Sequence, residues 1–351
     1  MNPAAPTAPN SLSRRLLAAA GLAALLFASS CAKEPDVVVY CALDQIFSED
    51  LVREFEQQSG LTVRAEFDVE AAKTVGLVAR IREEHNRPRC DVFWNNEIAH
   101  TVALAEEGLL LPYASPSATD IPTQFKDEQN RWTGFAARAR VLIVNTNLAD
   151  PAKLHGLDDL LDPQWKGKAC MARPLTGTTL THATALYTTF GDAETDAWFD
   201  KAAANDVGFV QSNGQVMRMV REGSMAWGLT DTDDYWVAKK AGFPVAQVVP
   251  DQKDAAHPSA RGTFLIPNTI CILKSAPHAE NAKKFVDFVL SREVEAKLAA
   301  ADGAQIPLRA GVAKPEHVLD IAKLTLIPVD WKAVGAQVTQ RMEKLKGRFL
   351  Q

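Results

Sequence analysis

The stretch "DVVVYCAL" (Asp36 to Leu43) limits the fold more than any other part of the chain. It is an unbroken apolar run rich in β-branched residues, with no polar alternation. Such a run suits a strand buried on both faces of a parallel sheet, not one with a solvated face. "SEDLVREFEQQSG" follows, with Leu51, Val52 and Phe55 at helical spacing, Ser48 as the expected N-cap and Gly60 as the stop. "LTVRAEF" reads as the next strand, "AAKTVGLVARIREEHN" as an amphipathic helix and "CDVFWN" as a third strand. This β-α-β-α-β order is the unit of a layered α/β domain.

The alternation continues. "IAHTVALAEEGLL" reads as a helix closed by Gly108, "ARVLIVNT" as a strand, and "GTTLTHATALYTTFG" as a helix entered at a glycine. "QVMRMVREG" reads as a helix, "SMAWGLT" and "TFLIPNTICIL" as strands, and "AENAKKFVDFVLSREVEAKLAA" as one long helix. At 351 residues the chain is long enough for two lobes, each with its own core. No long linker separates them, so the chain is expected to cross between lobes more than once. A net charge of −5 without basic clusters argues against nucleic acid or an anionic membrane surface as partner.

The N-terminus reads as a processing signal. Arg14 and Arg15 precede the apolar run Leu16 to Ala28, which is too short for a permanent membrane span. "ASSC" then places small residues before Cys31, as in a bacterial lipobox, and "AKEPD" follows as a tether. We expect lipidation at Cys31, with Ala32 favouring the outer membrane and the lipid as the sole membrane attachment. The other cysteines, Cys41, Cys90, Cys170 and Cys271, form no CxxC pair and sit in or beside apolar runs, which reads as buried thiols.

Several stretches, in order, resemble the periplasmic solute-binding proteins of ABC importers, specifically the ferric-ion-binding family. They are "VVVYCALDQIFSEDLVREFEQQSGLTV", "DVFWNNEIAHTVALAEEGLLLPY", "WTGFAARARVLIVNT", "DPQWKGKACMARPLTGTTL", "HAENAKKFVDFVLSREVEAKLA" and "AQIPLRAGV". The resemblance implies an α/β, two-lobed periplasmic-binding-protein (type II) fold. Each lobe would be a central sheet flanked by helices, with the ligand cleft between them. We expect lobe 1 to comprise 37–139 and 262–310, and lobe 2 to comprise 140–261 and 311–351. The implied partners are a permease and its ATPase, with the binding protein a monomer. The chain has no phosphate-binding loop, GxSxG or HExxH, so an enzyme is not expected.

In iron-binding members the resemblance implies a metal held by two adjacent tyrosines, often with a histidine and a glutamate, plus a synergistic anion. Here the tyrosine pair falls on Asp233 and Asp234, the histidine on Asp44, and the glutamate on Asn96 with Glu97 next to it. None of the four tyrosines is adjacent to another.

The expected cleft is thus carboxylate-rich: Asp44, Glu97, Asp231, Asp233 and Asp234, beside Asn96 and Tyr235. Crowded carboxylates repel unless a cation joins them or one is protonated. Asp44, Glu97, Asp233 and Asp234 are the candidate ligands of Fe³⁺ or a divalent cation. The bland reading makes Asp231, Thr232 or Asp233 a cap of the helix "DDYWVAKKAG". An EF-hand fails, because Trp236 stands where the loop needs glycine and Gly242 where it needs glutamate.

Thr176, Gly177 and Thr178 at a helix entrance, with Asn213 at another, are the candidate anion cradle. Arg138 and Arg140 lie near the lobe crossing, either to face the cleft or to form a structural ion pair. Trp94, Trp236 and Tyr235 would stack on a cation or, more blandly, pack in the core. A metal–anion pair fits both halves, as does a zwitterion such as an aminoalkylphosphonate. A polyamine, or a sensory role, is the further alternative.

Overall fold

A computed structural model of the chain describes residues 1, 34–68, 74–258 and 260–350. The leader and Cys31 lie outside the described residues. The strands are β1 (Val37–Cys41), β2 (Val63–Phe67), β3 (Val92–Asn95), β4 (Leu110–Leu111) and β5 (Thr133–Asn145). They continue with β6 (Ala169–Ala172), β7 (Gly208–Val210), β8 (Trp227–Asp231), β9 (Val245–Val248) and β10 (Leu265–Leu273). Helices α1 (Gln45–Ser59), α2 (Val75–Glu83), α3 (Ala99–Glu106), α4 (Gly177–Ala204) and α5 (Asn213–Arg221) alternate with them. The C-terminal third adds α6 (Thr232–Lys240), α7 (Ala279–Val289), α8 (Arg292–Ala300) and α9 (Trp331–Phe349).

β1 is buried along its whole length, as its composition requires. Val37, Val39 and Cys41 enter one apolar cluster with Phe55, Trp94 and Phe285, while Val38 and Tyr40 enter another with Ile81 and Phe93. That is the period-2 alternation of a strand with helices on both faces. β2, β1 and β3 run parallel, and β10 joins β3 antiparallel. A second half, β8-β6-β7, is also parallel and carries its own two clusters, one with Leu142, Leu180 and Trp227, the other with Ile143, Val216 and Val220.

β5 belongs to both halves. Up to Ala139 it pairs with β10; from Arg140 onward it pairs with β8, and from Leu142 with β9. The switch falls between two adjacent residues of one continuous, fully buried strand. Side chains at that switch, and at the carboxyl ends of β3 and β8, therefore come together. The architecture has two halves, each a sheet flanked by helices and joined through β5.

Two local expectations change. α1 begins at Gln45, and Ser48 is inside it, buried, donating its hydroxyl to the Asp44 and Leu43 carbonyls at 3.0 and 3.3 Å. Gly60 does end the helix, at φ 69°, with its N–H on the Glu56 carbonyl. The single helix expected over 279–300 is two, because Ser291 leaves helical geometry and its hydroxyl caps α8 at the Val294 N–H, 3.2 Å away. The four cysteines of the described region are buried free thiols. Burial pushes those of Cys41 and Cys170 up to about 12.

Candidate functional site

A cavity of about 330 Å³ opens where β5 changes partner. Three helices begin at its wall: α4 at Thr176–Thr179, α5 at Ser212–Gly214 and α6 at Asp231–Asp234. Each start follows a strand end, since Val210 closes β7 and Asp231 closes β8. Helix N-termini carry unsatisfied N–H groups and positive dipole ends, so convergence of three favours anionic groups at this wall. Gly177 stands at φ 56°, a left-handed value that suits glycine and opens α4 without a side chain over the cavity.

The acidic residues do gather here. Asp231, Asp233 and Asp234 offer carboxylate oxygens within 4.8 Å of one another, and Asp44 lines the same cavity. Asp231 is nonetheless occupied by the protein itself. One of its oxygens accepts from Arg140 Nη1 at 2.7 Å, and the other accepts from Thr178 at 2.6 Å and Asn213 at 3.0 Å. Burial alone would raise this carboxyl; Arg140 and then Arg138, with the hydrogen bonds from Thr178 and Arg140, hold it below the usual range. It stands at the N-cap position of α6 without a side-chain capping bond, so the simple capping account fails for it. Asp234 accepts from Thr230 at 2.6 Å, and Asp233 accepts from the Asp234 N–H at 3.0 Å.

Arg138 is the central cation. It is buried, lines the cavity, donates to the Asn96 carbonyl, and lies 3.8 and 3.7 Å from Asp231 and Asp233. Burial opposes its charge, but Asp233, Asp231, Asp44 and Asp234 together push its pKa up. Its Nε is buried without a hydrogen-bond partner among the described residues. Arg140, fully buried behind Asp231, is a structural pair and does not line the cavity.

Glu97 does not reach the cavity. Its carboxylate accepts from Ala99 N–H (2.6 Å), His100 Nδ1 (2.8 Å), Thr181 (2.7 Å) and Asn95 (3.0 Å), anchoring the start of α3 to α4. Burial would raise it, but His100 first, then Thr181 and Asn95, hold it low. As a candidate metal ligand it is thus replaced at the wall by Asn96, whose neutral amide cannot supply the negative charge of the expected glutamate. Tyr235 packs between two apolar clusters rather than lining the cavity. Trp94 is core, against Phe135 and Phe285, while Trp236 lies flat on His317 at 3.4 Å between ring centres. His182 stacks on Phe264, and burial, then Arg140, push it down to about 3, so it is neutral.

Sequence reasoning missed Arg173 and Arg218. Both line the cavity, and neither guanidinium has an ion-pair partner among the described residues. A basic residue directly after β6 and before the "PLTG" turn was the available signal for Arg173. Arg218 lies on the polar face of an amphipathic helix, where a cleft cannot be told from solvent.

Comparison with known proteins agrees with this fold. The chain is 25% identical over 324 residues to iron uptake protein A1 of Synechocystis sp., covering 86% of this chain and 88% of that one. Iron-bound HitA from Pseudomonas aeruginosa superposes with a TM-score of 0.77 at 22% identity, over 88% of this chain and 98% of that one. The periplasmic binding protein AfuA from Actinobacillus pleuropneumoniae, with fructose-6-phosphate bound, gives 0.75 at 25% identity, over 89% and 97%. The profile of the bacterial extracellular solute-binding proteins matches residues 50–325, most of the chain. With its cavity at the partner switch of β5 and its two-sheet architecture, the chain belongs to the bacterial extracellular solute-binding protein family.

Proposed function

We propose that the chain is the substrate-binding component of an ABC importer and captures iron(III) together with an anion in the cavity around Arg138. The observation that carries this is the two-sided wall. Asp44, Asp233 and Asp234 form an acidic side suited to a hard cation, while the N-termini of α4 and α5 with Arg173 and Arg218 suit the anion. Relatives named for iron uptake support the cation half. The lobes, 37–139 with 262–310 and 140–261 with 311–351, close on the ligand, and the closed form meets the permease. The protein acts as a monomer, held at the outer membrane by lipidated Cys31, and turns nothing over.

A second reading, a metal-free solute carrying a phosphoryl or phosphonate group, is favoured by one observation. The charge of Asp231 is already met by Arg140, and no tyrosine lines the cavity. Native mass spectrometry of the protein gently purified from its host separates the two. A mass shift of iron plus anion is expected. An organic mass alone supports the second reading, and no bound or bindable solute in a broad screen refutes both.

A further inference from the structure

Against β10, β5 carries one residue too many. Phe135 stands opposite Asn268 and Ala137 opposite Pro267, so Ala136 between them has no partner in β10. It is a β-bulge, and its φ of 36° is a left-handed value that strains an alanine. A bulge residue drops out of the ladder, and its N–H and C=O must be met elsewhere when buried. Ala136 is fully buried, and two side chains meet them. Its N–H donates to Glu295 Oε1 at 3.0 Å, and its carbonyl accepts from Asn268 Nδ2 at 2.9 Å. Glu295, on α8, is buried as well. The same carboxylate oxygen accepts from the Leu308 N–H at 2.7 Å, and the other lies 2.9 Å from Arg309 Nε.

The extra residue decides where Arg138 points. With it, Arg138 stands opposite Ile266; without it, Arg138 would fall opposite Leu265. Successive residues of a strand face opposite sides, and Leu265 and Ile266 enter different apolar clusters. We propose that Glu295 is a positioning residue for the solute site: it holds the bulge at Ala136 and thereby aims the Arg138 guanidinium into the cavity. Glu295 acts through Arg138 and not on the solute. The inference rests on the reading that the cavity around Arg138 holds the solute, and it applies to a metal–anion pair and to a phosphoryl group alike.

The test uses the exported full chain, titrated calorimetrically with inorganic phosphate and, separately, ferric citrate. Glu295→Gln keeps an oxygen for the two N–H groups, whereas Glu295→Leu removes it; both remove the charge beside Arg309. Thermal melts should therefore fall for both variants. Only Glu295→Leu is expected to weaken binding of either probe, by about tenfold or more, as when one charged hydrogen bond to the solute is lost. Glycine adopts φ 36° without strain, so Ala136→Gly in the Glu295→Leu background should restore much of the affinity. Equal affinity in the Gln and Leu variants, or no rescue by glycine, overturns this inference and leaves the proposed function standing. Should Glu295→Leu fail to fold, Ala136→Val, which is unsuited to that φ, is expected to lose affinity and Ala136→Gly to keep it. Ala136→Val that binds as the parent does overturns the inference. A parent protein that binds neither probe overturns both.

Discussion

Asp231 holds a charge the protein has already neutralised, and that decides what its removal does. Asp231→Ala leaves Arg140 buried without its partner, and breaking a buried pair costs about 3–5 kcal/mol. A fall of that size in urea unfolding is expected, with binding lost as well. Asp251 offers a different reading. Burial, as the main cause, pushes its carboxyl up from 3.8 to about 6. Between those values the folded chain holds a proton that the unfolded chain has released, so stability falls as pH rises through this window. Asp251→Asn accepts the same Leu157 N–H, tolerates φ 56°, and removes the ionisation. Thermal melts from pH 4 to 7 should show the variant gaining on the parent as pH rises, and equal slopes would refute the assignment. At this scale the sequence shows a cluster of three aspartates but not which is spoken for. Arg140 lies 91 residues from Asp231, and only strand pairing makes them neighbours.

Elements were more legible, because each carries its own pattern. Continuous apolar runs became buried strands, and Gly60 ended α1 as expected. Capping was less legible, since Ser48 and Ser291 are chemically alike but one faces the core and the other a helix start. Helix contacts give a paired prediction in α9. Gly335 lies against α3, where an added Cβ would come 2.5 Å from Val102 Cγ1 and 2.7 Å from its Cβ. Gly335→Ala gains about 1 kcal/mol of helix propensity but overpacks at a cost of about 1–3 kcal/mol. A net loss is expected. Gly347 meets nothing within 4 Å, so Gly347→Ala should stabilise by about 0.5–1 kcal/mol. Melting temperatures of the two variants should move in opposite directions, and a shared direction would contradict the packing described here.

Across the whole molecule, α6 carries both the site and a contact with the body under the first sheet. Trp236 stacks on His317, and Lys240 pairs with Asp302 at 2.5 Å, close to the cluster that holds Val318 and Leu298. Of these two contacts the Lys240–Asp302 pair crosses the proposed lobe division, so Lys240→Ala favours the open form. Solution scattering should then give a larger radius of gyration with unchanged circular dichroism, and an unchanged radius would remove this contact from closure. The sequence by itself determined the α/β layering and the parallel strands, because hydrophobic periodicity is local and each strand states its burial; the two-lobed class came from the chain's length and its resemblance to the binding-protein family. It also placed Asp231, Asp233 and Asp234 at one strand end, since they are neighbours in the chain. Only the tertiary structure decided that Arg140 neutralises Asp231, that Glu97 turns inward to α3 and α4, and that Arg173 and Arg218 face the cavity. Those outcomes depend on pairings between distant segments, and the energy of a charge is set by what the fold brings beside it.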